Sequence, residues 1–426
     1  MALDLYEHNA NAYVAACEMM DKYGKAAIVH PTGTGKSYIA FKLIEAHPNE
    51  VIIWLSPSEY IFKTQRESLL RQDQDFPLQN VRFYTYAKLM CSTAEQLNQI
   101  AEQNPTYIIL DEFHRIGAEF WGESTQKLLS LCPRSKLLGL TATNVRYLDN
   151  NRDMAEELFN GHVASEMTLG EAIVRGILPA PKYVTTVFKY QQDLARYQSR
   201  VDNLRSPGIQ DVNQKYLDAL KRALEQADGL DKVFARHITN KSGKYIVFCS
   251  GKDHMDEMIS HVPEWFAAID TKPTVYKALS DDPATDKAFA AFKADNSKHL
   301  KLLFCIDMLN EGVHVEGISG VILFRPTISP IIYKQQIGRA LTAGDSTTPL
   351  ILDVVNNFEG LSSISGLQNE MAAAVQRLYA NGESDKVVTD RFEVVEQVHD
   401  CRVLFEQLQS SLSSTWNHYF SEASIY

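Results

Sequence analysis

Cysteine is sparse in this 426-residue chain, and its six copies, Cys17, Cys91, Cys132, Cys249, Cys305 and Cys401, show no Cys-x-x-Cys spacing. That pattern argues against a zinc site or a disulfide framework and points to a reducing compartment. No apolar run approaches the roughly 20 residues that cross a bilayer. The start of the chain, Met1-Ala2-Leu3-Asp4-Leu5, lacks the basic and then apolar order of a secretion signal. A soluble, cytoplasmic protein with no membrane contact is the expectation. Positive charge is scarce too: 42 Lys and Arg face 53 Asp and Glu, a net charge of −11. This disfavours a protein that coats nucleic acid over its whole surface, but not one with a local basic track. The 45% hydrophobic and 10% aromatic content suits globular cores, and the length allows two or three domains.

Against these absences stands one dense segment, His30-Pro31-Thr32-Gly33-Thr34-Gly35-Lys36-Ser37. It follows an apolar run at 26–29 and precedes a helically periodic stretch at 38–44, so strand, loop and helix come in order. A glycine-rich turn at a helix N-terminus frees backbone N–H groups to cradle phosphate oxygens. Lys36 would reach the β- and γ-phosphates and the Ser37 hydroxyl would bind Mg²⁺. His30 sits where the general pattern has glycine. A second segment, the apolar run 107–110 ending in Asp111-Glu112-Phe113-His114, reads as a buried parallel strand with carboxylates at its tip. Asp111 would hold Mg²⁺ and Glu112 would polarise an attacking water as general base. An ordinary turn and a surface acidic pair are the bland alternatives, and the presence of both segments in order counts against each.

Apolar runs at 51–55, 81–86, 107–110 and 136–140 follow the one at 26–29 and alternate with helical stretches. A second series occupies 245–249, 274–276, 300–305, 321–324 and 350–355. Alternation of this kind predicts an α/β fold with two parallel sheets covered by helices. Between them, 191–241 is charged and helical in pattern with a turn signal at Ser206-Pro207-Gly208, and helices recur at 371–379 and 402–412. The expected division is 1–168 for a first ATP-binding domain, 169–240 for a linker and helical insertion, 241–358 for a second domain and 359–426 for a helical extension.

The order of these motifs resembles the superfamily 2 helicases, in particular the DExH-box motors related to the ATPase subunits of type I and type III restriction enzymes. The resemblance covers residues 3 to 356. Leu5-Tyr6-Glu7-His8-Asn9 is similar to the segment that contacts adenine, with Asn9 in place of the usual glutamine. Motif I is 30–37, where Thr32, Gly33, Thr34, Gly35, Lys36 and Ser37 would bind nucleotide. Ser56-Pro57-Ser58 is similar to motif Ia and Thr85-Tyr86 to a further strand-touching motif. Asp111 to His114 matches motif II, and Thr141-Ala142-Thr143 matches motif III. Val247 to Ser250 is similar to motif IV, Asn310-Glu311-Gly312-Val313-His314 to motif V, and Gln335-Gln336-Ile337-Gly338-Arg339 to motif VI.

The resemblance implies two RecA-like domains with ATP and Mg²⁺ between them and a nucleic-acid strand, DNA by expectation, across the top. Gln335 and Arg339 would face the nucleotide from the second domain, and Gly312 would approach it. Ser56, Thr85, His114, Thr141, Thr143, Ser250, Asn310 and Glu311 would couple the cleft to the track or touch it. Thr342 replaces the last arginine of motif VI and His314 an aspartate of motif V. Arg339 is the candidate arginine finger, with Arg325 and Lys334 open as substitutes. Arg196, Arg200 and Arg205 form either a basic face or an ordinary solvated helix surface. No carboxylate cluster for a fused nuclease is evident. Trp416-Asn417-His418-Tyr419 resembles the opening of helicase-associated repeats, which would make the chain a truncated form, and an aromatic helix packing on the motor is the alternative. A monomer in isolation, with partner subunits in a larger assembly, completes the expectation. The competing reading is a nucleotide-dependent clamp or switch with weak hydrolysis, serving a restriction, repair or mobile-element complex. A P-loop kinase or GTPase is disfavoured by the duplicated α/β pattern.

Overall fold

The computed structural model describes residues 3–117, 119–143, 145–146, 152–188, 191–279, 284–306, 317–324, 330–342, 347–355, 363–397 and 399–423. The first sheet contains β1 (Lys25–Val29), β2 (Ile52–Ser56), β3 (Val81–Thr85), β4 (Tyr107–Asp111) and β5 (Lys136–Thr141). A small antiparallel pair, β6 (Val145–Arg146) and β7 (Arg152–Asp153), precedes its last strand, β8 (Val163–Glu166). All six strands of the large sheet run parallel in the order β3-β2-β4-β5-β1-β8. Both faces are covered. Ala26, Ile28, Ile52, Trp54 and Ile109 pack into one core, while Ala27, Val29, Ile53, Leu55 and Ile108 pack into the other. Alternate side chains of a strand point to opposite faces, so burial on both sides explains why these strands read as unbroken apolar runs.

The second sheet is also fully parallel. It consists of β9 (Lys182–Val187), β10 (Lys244–Phe248), β11 (Thr274–Ala278), β12 (Lys301–Cys305), β13 (Ile318–Leu323), β14 (Leu350–Val355) and β15 (Glu393–Glu396), ordered β11-β12-β10-β13-β14-β9-β15. The two sheets are tandem RecA-like domains.

The expected boundaries differ from the sheet at two places. β9 falls in the presumed linker, yet it pairs along β14 from Lys182↔Leu350 to Val187↔Val355. β15 falls in the presumed helical extension and pairs with β9. Pairing partners more than 150 residues away leave no local trace, and the short, charge-flanked β15 carries the features of a protected sheet edge. The turn signal at 206–208 is a helix start: Ser206 is the N-cap and Pro207 opens the Pro207–Gln226 helix. That helix packs with Gln191–Asp202 and the final His399–Ala423 helix through Tyr197, Val201, Leu217, Leu220, Phe405 and Leu408. The middle and terminal segments thus build one helical module. Trp416 to Tyr419 lie in the final helix. No helix among the described residues is long and apolar enough to cross a membrane.

Candidate active site

Strand register brings the acidic and phosphate-loop segments together. Val29, the last residue of β1, lies opposite Thr141 on β5, and Asp111 at the tip of β4 lies opposite Leu140. Loops leaving these three carboxyl ends meet at one edge of the sheet, where open α/β folds hold their ligands. Gly33 and Gly35 adopt φ of +91° and +82°, a region that costs glycine least, and the helix begins at Lys36. Thr34 Oγ1 donates to the Pro31 carbonyl at 2.8 Å, and Lys36 Nζ donates to the same oxygen at 3.2 Å. Lys36 is buried. Burial pushes its pKa down, while Glu112 and Asp111 draw it up.

Asn9 supports this loop from below. Its Nδ2 donates to the carbonyls of Thr34 at 2.8 Å and Gly35 at 3.3 Å, and His8 Nε2 lies 2.9 Å from the Thr34 oxygen. Asn9 Oδ1 is buried with no hydrogen-bond partner. His30, the departure from the general loop pattern, is buried and lies 2.8 Å from Ser165 Oγ on β8. Burial lowers its pKa to about 3, so the ring is neutral at physiological pH and joins the loop to the neighbouring strand.

Asp111 is 3% exposed, and its neighbour Glu112 adopts φ of +50°, a strained conformation for a residue with a side chain. Burial first, then the Glu112 charge, raises the Asp111 pKa to about 7, against the hydrogen bond from Gln65. Glu112 Oε2 accepts from the Ala142 N–H at 3.4 Å and lies 3.5 Å from both Thr141 Oγ1 and His114 Nδ1. His114 Nδ1 is 2.8 Å from Thr141 Oγ1, which donates to the Thr143 carbonyl at 2.7 Å. Side chains of the second and third motifs therefore form one network around Glu112.

The second domain closes the site. Asn9, Thr32, Gly33, Gly35, Lys36, Ser37, Asp111 and Glu112 line a cleft of about 480 Å³ together with Arg339 and Thr342. The contact is backbone-close. A Cβ added at Gly33 would lie 2.0 Å from the Leu341 carbonyl oxygen, and one added at Gly338 would lie 3.0 Å from Thr32 Cβ. Gln335 lies on the Pro330–Gly338 helix that leads into Arg339. Lys334 on the same helix pairs its ammonium with Glu370 on the Ser363–Ala380 helix. Tyr333 on the same helix meets the Tyr183 hydroxyl, which donates to buried Asp353, so the helix is tied to β9 and β14.

Other expected residues lie elsewhere. Ser56 Oγ donates to the Ser58 carbonyl, Ser58 caps the Glu59–Gln72 helix, and Thr85 caps Tyr86–Met90. Ser250 lies 2.8 Å from His254 Nδ1. Arg196 and Arg200 each lie 5.2 Å from the Tyr197 ring centroid. Asn310, Glu311, Gly312, His314 and Arg325 lie outside the described residues. Gln65 was not anticipated, although it lines the cleft and donates to Asp111 Oδ2 at 3.1 Å.

The donor set suits a magnesium nucleotide: a positive-φ glycine cradle, a lysine, a hydroxyl and two adjoining buried carboxylates. Residues 2–146 match the family described as "Type III restriction enzyme, res subunit", and residues 226–344 match "Helicase conserved C-terminal domain". The chain is 23% identical over 345 residues to the Escherichia coli "Type I restriction enzyme EcoAI endonuclease subunit", covering 74% of this chain and 41% of that relative. Among solved structures, it is similar to the DNA-bound "ATP-dependent Type ISP restriction-modification enzyme LlaBIII", with TM-score 0.59 and 16% identity over 95% of this chain and 33% of that one. It is also similar to S. cerevisiae Dbp5 bound to RNA and ADP BeF3, with TM-score 0.53 and 14% identity over 96% of this chain and 98% of that one. The two family matches, in order along one chain, and the likeness to the EcoAI subunit support a superfamily 2 helicase close to the subunits of restriction enzymes.

Proposed function

We propose that the chain is a nucleic-acid-dependent ATPase motor that hydrolyses ATP between its two RecA-like domains. One observation carries the reading: Lys36, Ser37, Asp111 and Glu112 of the first domain share a cleft with Arg339 of the second. Phosphoryl transfer to water asks a protein for positioning and charge neutralisation rather than covalent chemistry. The loop N–H groups and Lys36 hold the phosphates. Ser37 and Asp111 would hold Mg²⁺, which would supply charge neutralisation at the phosphate oxygens. Glu112 orients the attacking water and accepts its proton, with His114 and Thr141 fixing the carboxylate. Arg339 stabilises charge on the transferring group only when the domains meet, so hydrolysis and domain closure are linked. If the domains grip a strand unequally in the open and closed states, the cycle becomes directed movement.

The substrate track is DNA in this reading, by likeness to the DNA-bound LlaBIII enzyme, and the chain acts beside partner subunits in a reducing cytosol. The chain spans 41% of the length of the EcoAI subunit. The test is ATP hydrolysis measured without polymer, then with single-stranded DNA, duplex DNA and RNA, beside Glu112→Gln. DNA stimulation, lost by about 10²- to 10⁴-fold in Glu112→Gln, is the expected result. Turnover indifferent to every polymer would instead favour a nucleotide-dependent switch.

A further inference from the structure

We infer that Gln65 is the residue that positions the Asp111 carboxylate for the divalent cation, by holding one carboxylate oxygen and leaving the other for the metal. The inference rests on the ATPase reading above and concerns a residue outside the motifs that suggested it. Gln65 belongs to the Glu59–Gln72 helix, which leaves β2 beside β4. Its place on that helix is unusual. Ile61 and Leu69, four residues to either side, are buried and mark the core-facing stripe, and Gln65 interrupts the stripe with an amide. The helix is anchored by its Ser58 cap, whose Oγ accepts from Ile61 N at 3.2 Å.

Gln65 Nε2 donates to Asp111 Oδ2 at 3.1 Å. The amide orientation follows from chemistry, because the flipped arrangement would set a carbonyl oxygen against a carboxylate oxygen. With that orientation fixed, Gln65 Oε1 is buried and has no hydrogen-bond partner, while the side chain lines the nucleotide cleft. An unpartnered amide oxygen beside a metal-binding carboxylate can accept from a donor brought into the cleft. A water molecule of the cation's hydration shell is the donor whose chemistry fits. Gln65 thus supports the metal in two ways: its N–H group favours the ionised carboxylate, and its oxygen accepts from the hydrated cation. Partners of this kind, one step removed from the metal, typically change affinity by about 10- to 100-fold when removed.

The test compares wild type, Gln65→Leu, Gln65→Asn and Asp111→Asn, using Mn²⁺ as a paramagnetic probe titrated in the presence of ADP. Gln65→Leu keeps the bulk of the side chain without its polar atoms, and Gln65→Asn keeps the amide one methylene short. Both should weaken Mn²⁺ binding by about 10-fold or more, with metal-free ADP affinity within about twofold of wild type. In turnover assays the Mg²⁺ concentration at half-maximal rate should rise while kcat at saturating Mg²⁺ stays near wild type, a split that a general loss of structure does not produce. Mn²⁺ affinity within twofold of wild type in both Gln65 variants, with Asp111→Asn impaired, overturns the role of Gln65 and leaves the ATPase reading standing. Absence of Mn²⁺ binding in ADP-bound wild type overturns both.

Discussion

Replacing Gly338 by alanine isolates the contact between the domains. The added methyl would lie 3.0 Å from Thr32 Cβ, on the facing phosphate loop, closer than unstrained carbon atoms approach. Gly338 ends a helix and has no positive φ, so alanine favours the local backbone by about 0.5–1 kcal/mol and does not unfold it. The strain falls on the closed arrangement alone. Overpacking of a fitted contact costs about 1–3 kcal/mol. If closure precedes hydrolysis, that cost lowers kcat by roughly 5- to 150-fold at 1.36 kcal/mol per tenfold. Nucleotide binding to the first domain should be spared. The assay pairs polymer-stimulated turnover with fluorescent-ADP affinity and a thermal melt, and uses Gly366→Ala, where an added Cβ meets nothing within 4 Å, as the control. Turnover of Gly338→Ala within twofold of wild type at unchanged melting temperature would show that this contact does not govern hydrolysis.

The raised pKa of Asp111 has a signed consequence for stability. The folded carboxyl titrates near 7 instead of 3.8, so the metal-free fold binds more protons than the unfolded chain between about pH 4 and 7 and loses stability as pH rises through that window. Asp111→Asn should therefore gain more in urea midpoint over wild type at pH 8 than at pH 5, and equal gains would contradict the assignment. Tyr183→Phe removes a hydroxyl that donates to buried Asp353 and should cost about 1.5–3 kcal/mol in urea unfolding. His114→Ala should leave ATP binding near wild type yet reduce polymer stimulation, because His114 joins Glu112 to Thr141; equal stimulation in the variant would place coupling elsewhere.

The local parts of the site were legible because each was contiguous. A buried parallel strand is an unbroken apolar run, and the loop after β1 and the acidic pair after β4 announce themselves by residue type. What escaped notice was created by pairing across the chain. β9 and β15 acquire meaning only beside β14, and the helical module joins segments nearly 200 residues apart. Gln65 left a faint mark, a polar residue between Ile61 and Leu69 on a core-facing stripe. Its proximity to Asp111 arises because β2 and β4 are neighbours in the sheet although β3 separates them in sequence. The nearness of Gly33 and Gly338 is likewise set by how the two domains meet.

The central claim is that the two domains make one hydrolytic site, and Arg339→Ala tests it most directly by measuring ATP turnover and ATP binding on the same preparation. An arginine finger contributes about 10³- to 10⁵-fold, or roughly 4–7 kcal/mol. Thr342 beside it in the cleft offers no second cation. ATP affinity should stay within a few fold of wild type while turnover falls by about 10³ or more. Turnover within a few fold of wild type would contradict a site shared by both domains and return hydrolysis to the first domain alone.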